Sequence, residues 1–386
     1  MGSFREDGKN LSPSRQTLRV SRFVVGGILL LCIYGVVYWG FFRSNIKIHA
    51  AVPAFYFWKT RFELTQEERL YLSNMKCNKL YVKFFDVDWD QSISSTEAIP
   101  KGSLEFPDST FDTLSNRSRL ESIDEVIPTI FLTNRTFDHI SSNLKETDSL
   151  AAKVASKISS MFHRGFPTMV IREIQLDCDW TLHSREAYFT FLRSLRKNLL
   201  EPNVRLSATI RLHQIKYKDR VGIPPVDRGM LMYYNMGSID DVGEVNSIFD
   251  ETKAKAFLPY LQSYSLPLDI ALPVFGWGVI MRRNQLVGLL DDATLKDFDD
   301  TNHFSRIGTN MMEVKKSTYF DYSYLYQGDH IRLESVSVAD LKRAVDELSR
   351  SFPETDKLTI AFFHLNKKII GRYPYEDLLS LSRNFK

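Results

Sequence analysis

The chain is poor in cysteine, with three in 386 residues, and this excludes a small scaffold stapled by disulfides. It also lacks a surplus of either charge. Fifty basic side chains stand against 47 acidic ones, for a formal net charge of +3. No long basic stripe breaks that balance, so a nucleic-acid footprint is not expected. No internal repeat is present, and no Gly-rich phosphate loop follows the first strand-like run, which argues against a dinucleotide-binding sheet. Hydrophobic residues make up 44% and charged residues 25% of the chain, which excludes a disordered or collagen-like protein.

What the chain does have begins with an apolar run. Phe23 to Phe42 carries no charge, enough to cross a hydrocarbon core of about 30 Å as a helix. Arg15, Arg19 and Arg22 precede it, and Tyr34, Tyr38 and Trp39 supply interfacial rings near its far end. The positive-inside rule then places residues 1–22 in the cytoplasm as a tail, with 23–42 as a transmembrane signal anchor and 43–50 as a linker. Residues 51–386 would lie outside the cytoplasm, in the periplasm if the source is bacterial. A cleaved signal peptide fits less well, because the candidate site Ile48-His49-Ala50 has a bulky residue where a small one is needed.

From Ala50 onward, strand-like and helix-like patterns alternate. Strands are expected at 52–58, 79–85, 126–132, 169–178, 204–212, 230–236, 268–275 and 358–365. Helices are expected at 65–75, opened by a Thr65–Glu68 capping box, and at 144–162, 252–264, 338–348 and 375–383. Eight strands with helical crossovers predict an α/β protein, a (β/α)8 TIM-like barrel, with residues 279–335 inserted between strands seven and eight. Cys77 and Cys178 fall at opposite ends of such a barrel, so they read as two buried thiols rather than a disulfide.

Reactive side chains belong at the C-terminal ends of barrel strands. Strand four ends Gln175-Leu176-Asp177-Cys178-Asp179-Trp180-Thr181. A period of two puts Gln175, Asp177, Asp179 and Thr181 on the interior side. Asp177 and Asp179 would have Cα atoms roughly 6.5 Å apart, and their repulsion would raise one of their pKa values. Asp86, Asp88 and Asp90 follow strand two, His213 strand five and His364 strand eight, as further candidates. Asp86 to Glu97 also has oxygen-bearing residues at calcium-loop spacing, but Gln91 stands where the sharp turn needs Gly. No metal and no cofactor is assigned.

These motifs resemble the family-18 glycosidases, the chitinase-like barrels. That family carries D-G-x-D-x-D-x-E at strand four, where this chain has I-Q-L-D-C-D-W-T. Strand six often carries M-x-Y-D, where this chain has Met232-Tyr233-Tyr234-Asn235, with Asn in place of the family's Asp. Strand seven commonly ends G-x-P-x-Y-G, to which Ala271-Leu272-Pro273-Val274-Phe275-Gly276 is similar. The chain is also similar to uncharacterised bacterial glycosidase-like proteins with a Q-L-D-x-D motif. The resemblance implies a glycan partner and puts the family's acidic Glu at Thr181, whose hydroxyl cannot act as a general acid near neutral pH.

Two functions therefore stand open. One is a membrane-anchored glycosidase that binds and hydrolyses an envelope or extracellular glycan, using Asp177 and Asp179 with a carboxylate from another strand. The other is a non-catalytic glycan-binding or envelope-assembly protein that has lost its acid. In either, Trp58, Asp86, Asp88, Gln175, Thr181, Tyr234, Asn235 and Trp277 are the expected substrate-binding residues. Trp89 and Trp180 also fall near strand ends, although the parity of Trp180 points it away from the interior.

Overall fold

The computed structural model describes Gly2 and residues 51–385, except 91–96, 108–121, 141–143, 200, 202 and 353–356. The apolar run 23–42 lies outside the described residues. Among those described, no helix is long and apolar enough to cross a membrane, and this corrects the expectation of a single-pass membrane protein. The helix Leu144–Gly165 has the length, at 22 residues, but its many charged side chains keep one face in water.

Eight parallel strands form the barrel: β1 Ala51–Phe57, β2 Lys79–Asp90, β3 Glu125–Leu132, β4 Glu173–Asp177, β5 Arg205–Arg211, β6 Arg228–Met232, β7 Leu268–Pro273 and β8 Leu358–Phe363. Each pairs with the next in chain order, and β8 closes on β1. Their central residues are almost continuously buried, as strands covered on both faces must be. Outside the barrel, Thr65 and Glu68 form both arms of the capping box that starts the helix Gln66–Asn74. The helices Leu144–Gly165, Arg185–Asn198, Val338–Ser351 and Tyr375–Arg383 lay apolar stripes against the strands. Cys77 and Cys178 are buried and free.

Three departures from the sequence reading shape the site. First, β2 does not end at residue 85 but runs on to Asp90, and its extension pairs with an antiparallel strand, Glu97–Lys101. The acidic run Asp86–Asp90 is therefore extended strand, not a calcium-type loop. Second, the helix expected over 252–264 breaks into Glu251–Lys255 and a single 3-10 turn, Leu258–Tyr260. Pro259 sits at the second position of that turn and removes a helical donor. Third, β4 stops at Asp177, so the two-residue alternation expected to reach Thr181 ends there.

The insertion begins slightly earlier than expected. Strands Gly276–Arg282, Gln285–Asp291, Phe304–Arg306, Met311–Val314 and His330–Ser335 form a five-stranded antiparallel sheet. It has its own apolar core around Phe298, Phe304, Val314, Leu325 and Ile331. A separate hairpin, Thr318–Phe320 with Ser323–Leu325, packs Phe320 and Leu325 against that core.

Candidate functional site

The barrel interior is layered. At the N-terminal end Glu173 accepts from the Ser207 hydroxyl at 2.7 Å and faces Arg205 at 3.2 Å. Asp269 accepts from the Arg228 Nε and the Thr359 amide, each at 2.6 Å. These buried charges are paired and hydrogen-bonded, as burial demands. Above them Tyr56 stacks on Tyr81 with ring centroids 5.0 Å apart, and its hydroxyl donates to Gln175 Oε1 at 2.7 Å. Gln175 is thus fully buried beneath the mouth.

Asp177 lies in the next layer, where β4 meets the opening. It is buried, and the Thr209 hydroxyl donates to it at 2.6 Å. Burial raises its pKa above the ordinary carboxylate value; the Arg211 charge and the Thr209 hydrogen bond oppose the rise, while Asp179 adds to it. Arg211, two residues beyond Thr209 on β5, has a buried Nε with no hydrogen-bond partner among the described residues. Burial alone would weaken its charge, but Asp177, Tyr234 and Asp179 more than offset this and hold its pKa up.

Lys83 and Asp86 arrive through a β-bulge. The register of β2 against β3 slips between Lys83 and Phe85, so Lys83 pairs with Thr129 and Asp86 with Phe131. Without the extra residue, side chains three apart would face opposite sides of the strand. With it, both face inward, and Lys83 Nζ lies 2.8 Å from Asp86 Oδ1. The same ammonium sits 5.5 Å from the centre of the Trp58 ring.

Together these groups open into a cavity of about 820 Å³ at the C-terminal end of the strands. Its polar wall includes Lys83, Asp86, Asp177 and Arg211, and its aromatic wall includes Trp58, Tyr234, Phe275, Trp277 and Phe363. Asn235 lines it with a left-handed backbone (φ 56°), a conformation Asn tolerates well. Trp277, from the first strand of the insertion, donates its Nε1 to buried Glu334 at 2.9 Å. His364 borders the cavity; burial pushes its imidazole pKa down, and its Nδ1 has no hydrogen-bond partner among the described residues.

Of the residues expected from sequence, the cavity brings together Trp58, Asp86, Asp177, Tyr234, Asn235 and Trp277, with His364. Others stand apart. Asp179 is half-exposed in the loop after β4, 3.9 Å from Arg211 Nε and 3.7 Å from His213 Nε2. Asp88 is taken up by Arg135 and by the Thr133 hydroxyl at 2.8 Å. Burial alone would raise its pKa, but those bonds hold it below the ordinary value. Thr181 is exposed and caps the turn before the helix Arg185–Asn198, accepting from the amides of His183 and Ser184. A carboxylate at 181 would stand in solvent, outside the cavity.

Trp180 is fully buried, donates to the Val221 carbonyl at 2.9 Å and stacks on Tyr188. Trp89 stacks on His139 rather than lining the cavity. Sequence reasoning missed Lys83, whose inward aim needs the bulge, and Arg211, whose alternating strand position was the available signal. Among the described residues no cluster of His, Cys, Asp and Glu is arranged to hold a metal ion.

No protein-family model matches the chain, and no curated protein does. Solved structures do. The spore cortex-lytic enzyme SleL of Bacillus megaterium QM B1551 superposes with a TM-score of 0.52 at 14% identity, over 89% of this chain and 76% of that one. SleL of Bacillus cereus gives 0.50 at 15%, over 88% and 75%. A class V chitinase from Nicotiana tobaccum, solved in complex with NAG4, gives 0.50 at 12%, over 87% and 98%. At such identities the likeness is one of fold. In fold, then, this chain is a chitinase-like (β/α)8 barrel.

Proposed function

We propose that the cavity binds a segment of a glycan and that Asp177 serves as proton donor for its cleavage. The observation that carries this reading is a buried carboxyl with a raised pKa on the floor of a large cavity walled by aromatic rings. Such rings offer a sugar a flat amphipathic face with few rotamers to freeze. A carboxyl whose pKa is raised retains its proton closer to neutral pH, which is what general acid catalysis needs. Asp86, from β2, and Asp291, from the insertion, line the same cavity. They supply the second carboxylate that glycoside hydrolysis requires on the far side of the bond.

One observation favours the alternative, a binder without turnover. Lys83 holds Asp86 in an ion pair, and a carboxylate so engaged is a poorer base or nucleophile.

Titration with N-acetylglucosamine oligomers, followed by product analysis, tests both readings. The wild type is expected to bind and to release shorter oligomers. Asp177→Asn should lower cleavage by about 10²–10⁴-fold with binding retained. Trp277→Ala should weaken binding by about tenfold. Binding without any product, in wild type and variant alike, would decide for the binder.

A further inference from the structure

The hairpin of the insertion reads Thr318-Tyr319-Phe320-Asp321-Tyr322-Ser323-Tyr324-Leu325-Tyr326. Its alternation is strict. Phe320 turns inward and stacks on Phe298 at 4.9 Å, and Leu325 is fully buried. The opposite face carries Tyr319 and Tyr324, directly paired across the strands, with Tyr326 beyond them and Tyr322 in the turn. These rings are 78%, 41%, 50% and 101% exposed in that order. Four large rings left in water on one short element form a patch that calls for a partner.

The patch is also held in place. Tyr324 meets Tyr319 and Tyr326 edge-on, with centroids 4.8 Å apart in both pairs. The Arg282 guanidinium lies 4.1 Å over the Tyr326 ring and is fixed there by two bonds to buried Asp329, at 2.7 and 2.8 Å. The Tyr326 amide donates to the same carboxylate at 2.8 Å. Rings ordered before binding lose little freedom on contact. The turn residue Asp321, beside Tyr322, lines the main cavity, so the tyrosine face begins where the cavity ends.

We propose that this tyrosine face is a second glycan platform, which carries a polymer onward from the cavity, so that the preferred ligand is a long polysaccharide rather than a short oligomer. The inference rests on the glycan reading of the cavity. Rings that end in hydroxyls suit a partner with alternating apolar faces and polar edges, and continuity with the cavity makes that partner the same sugar chain.

The full chain and a Tyr319→Ser/Tyr322→Ser/Tyr324→Ser variant would be compared on three probes, insoluble chitin and lipid vesicles by co-sedimentation and soluble N-acetylglucosamine tetramer by calorimetry. All three positions are exposed, so unfolding temperatures should match. Polymer affinity is expected to fall about tenfold or more, from three lost aromatic contacts, while tetramer affinity changes less than about twofold. Equal retention of both proteins on chitin would overturn the platform. Loss of vesicle binding (phosphatidylcholine with phosphatidylglycerol) with no loss on chitin would also overturn it, in favour of a membrane surface. Failure of the wild type to bind the tetramer would instead remove the glycan reading of the cavity itself.

Discussion

At the scale of single residues, Asp177 is where structure and chemistry pull against each other. A polar residue could sit there neutral at no electrostatic cost, yet the chain keeps a carboxyl whose charge is opposed by burial. The sign of the resulting linkage is definite. A carboxyl with a raised folded-state pKa binds more protons folded than unfolded between its two pKa values. Its stabilising share is full below the unfolded value of about 3.9 and is lost as pH rises through the folded one. Asp177→Asn should therefore be as stable as the wild type or better at pH 7, by about 1 kcal/mol or roughly 2 °C. The amide oxygen can still accept from Thr209. Calorimetric unfolding from pH 4 to 8 should show the wild type losing ground to the variant as pH rises. A variant that melts several degrees lower at pH 7 would make Asp177 a structural residue.

At the scale of elements, what was legible in the sequence follows from what period-two patterning can encode. The eight strands, the capping box at Thr65 and the terminal helix Tyr375–Arg383 stood out because each is a local pattern. Asp177, Tyr234 and Trp277 were legible because they close strands or follow them directly. The inward turn of Lys83 was not, since one bulge residue reverses the parity of all that follows it. Thr181 lies outside the cavity for the matching reason: β4 stops at Asp177, before the alternation reaches it.

Glu334 is a third kind of case, fixed only by tertiary contacts. It accepts from Arg332 Nε at 2.6 Å, from the Ser247 amide and hydroxyl at 2.8 and 2.5 Å, and from Trp277. Arg332 in turn donates to the carbonyls of Ile239 and Asp241. This network fastens the insertion to the loop after β6 and sets the indole on the cavity wall. Glu334→Ala leaves a buried guanidinium without its carboxylate, at a cost of about 3–5 kcal/mol. The expected result is a Tm lower by roughly 5–10 °C, with tryptophan emission shifted as the Trp277 hydrogen bond is lost. An unchanged emission spectrum would show that Trp277 keeps its place without Glu334.

On the scale of the whole molecule, the carboxyls buried in the barrel interior and the paired carboxyls of the insertion respond to pH in opposite senses. Inside the barrel, burial raises the pKa values of Glu173, Asp177 and Asp269, so their contribution to stability grows as pH falls. On the insertion the sense is reversed. Burial works against the Asp329 charge, but its hydrogen bonds from Arg282 and the Tyr326 amide hold its pKa below the ordinary value. The hydrogen bond from His303 does the same for exposed Asp300. A lowered folded-state pKa gives stability that is present above the unfolded value and is lost as pH falls through the folded one. Acidification from about pH 4 downward should thus loosen the insertion while its own barrel stays closed. The insertion has a separate apolar core, which lets it open as a local unit. Hydrogen exchange followed by mass spectrometry at pH 5, 4 and 3, corrected for the intrinsic rate, should show protection lost first in 304–335. Protection in β4, β5 and β7 should persist to lower pH. Loss of protection in all segments at one pH would mean that the insertion and the barrel unfold as a single unit, and that Asp329 does not set the weaker part.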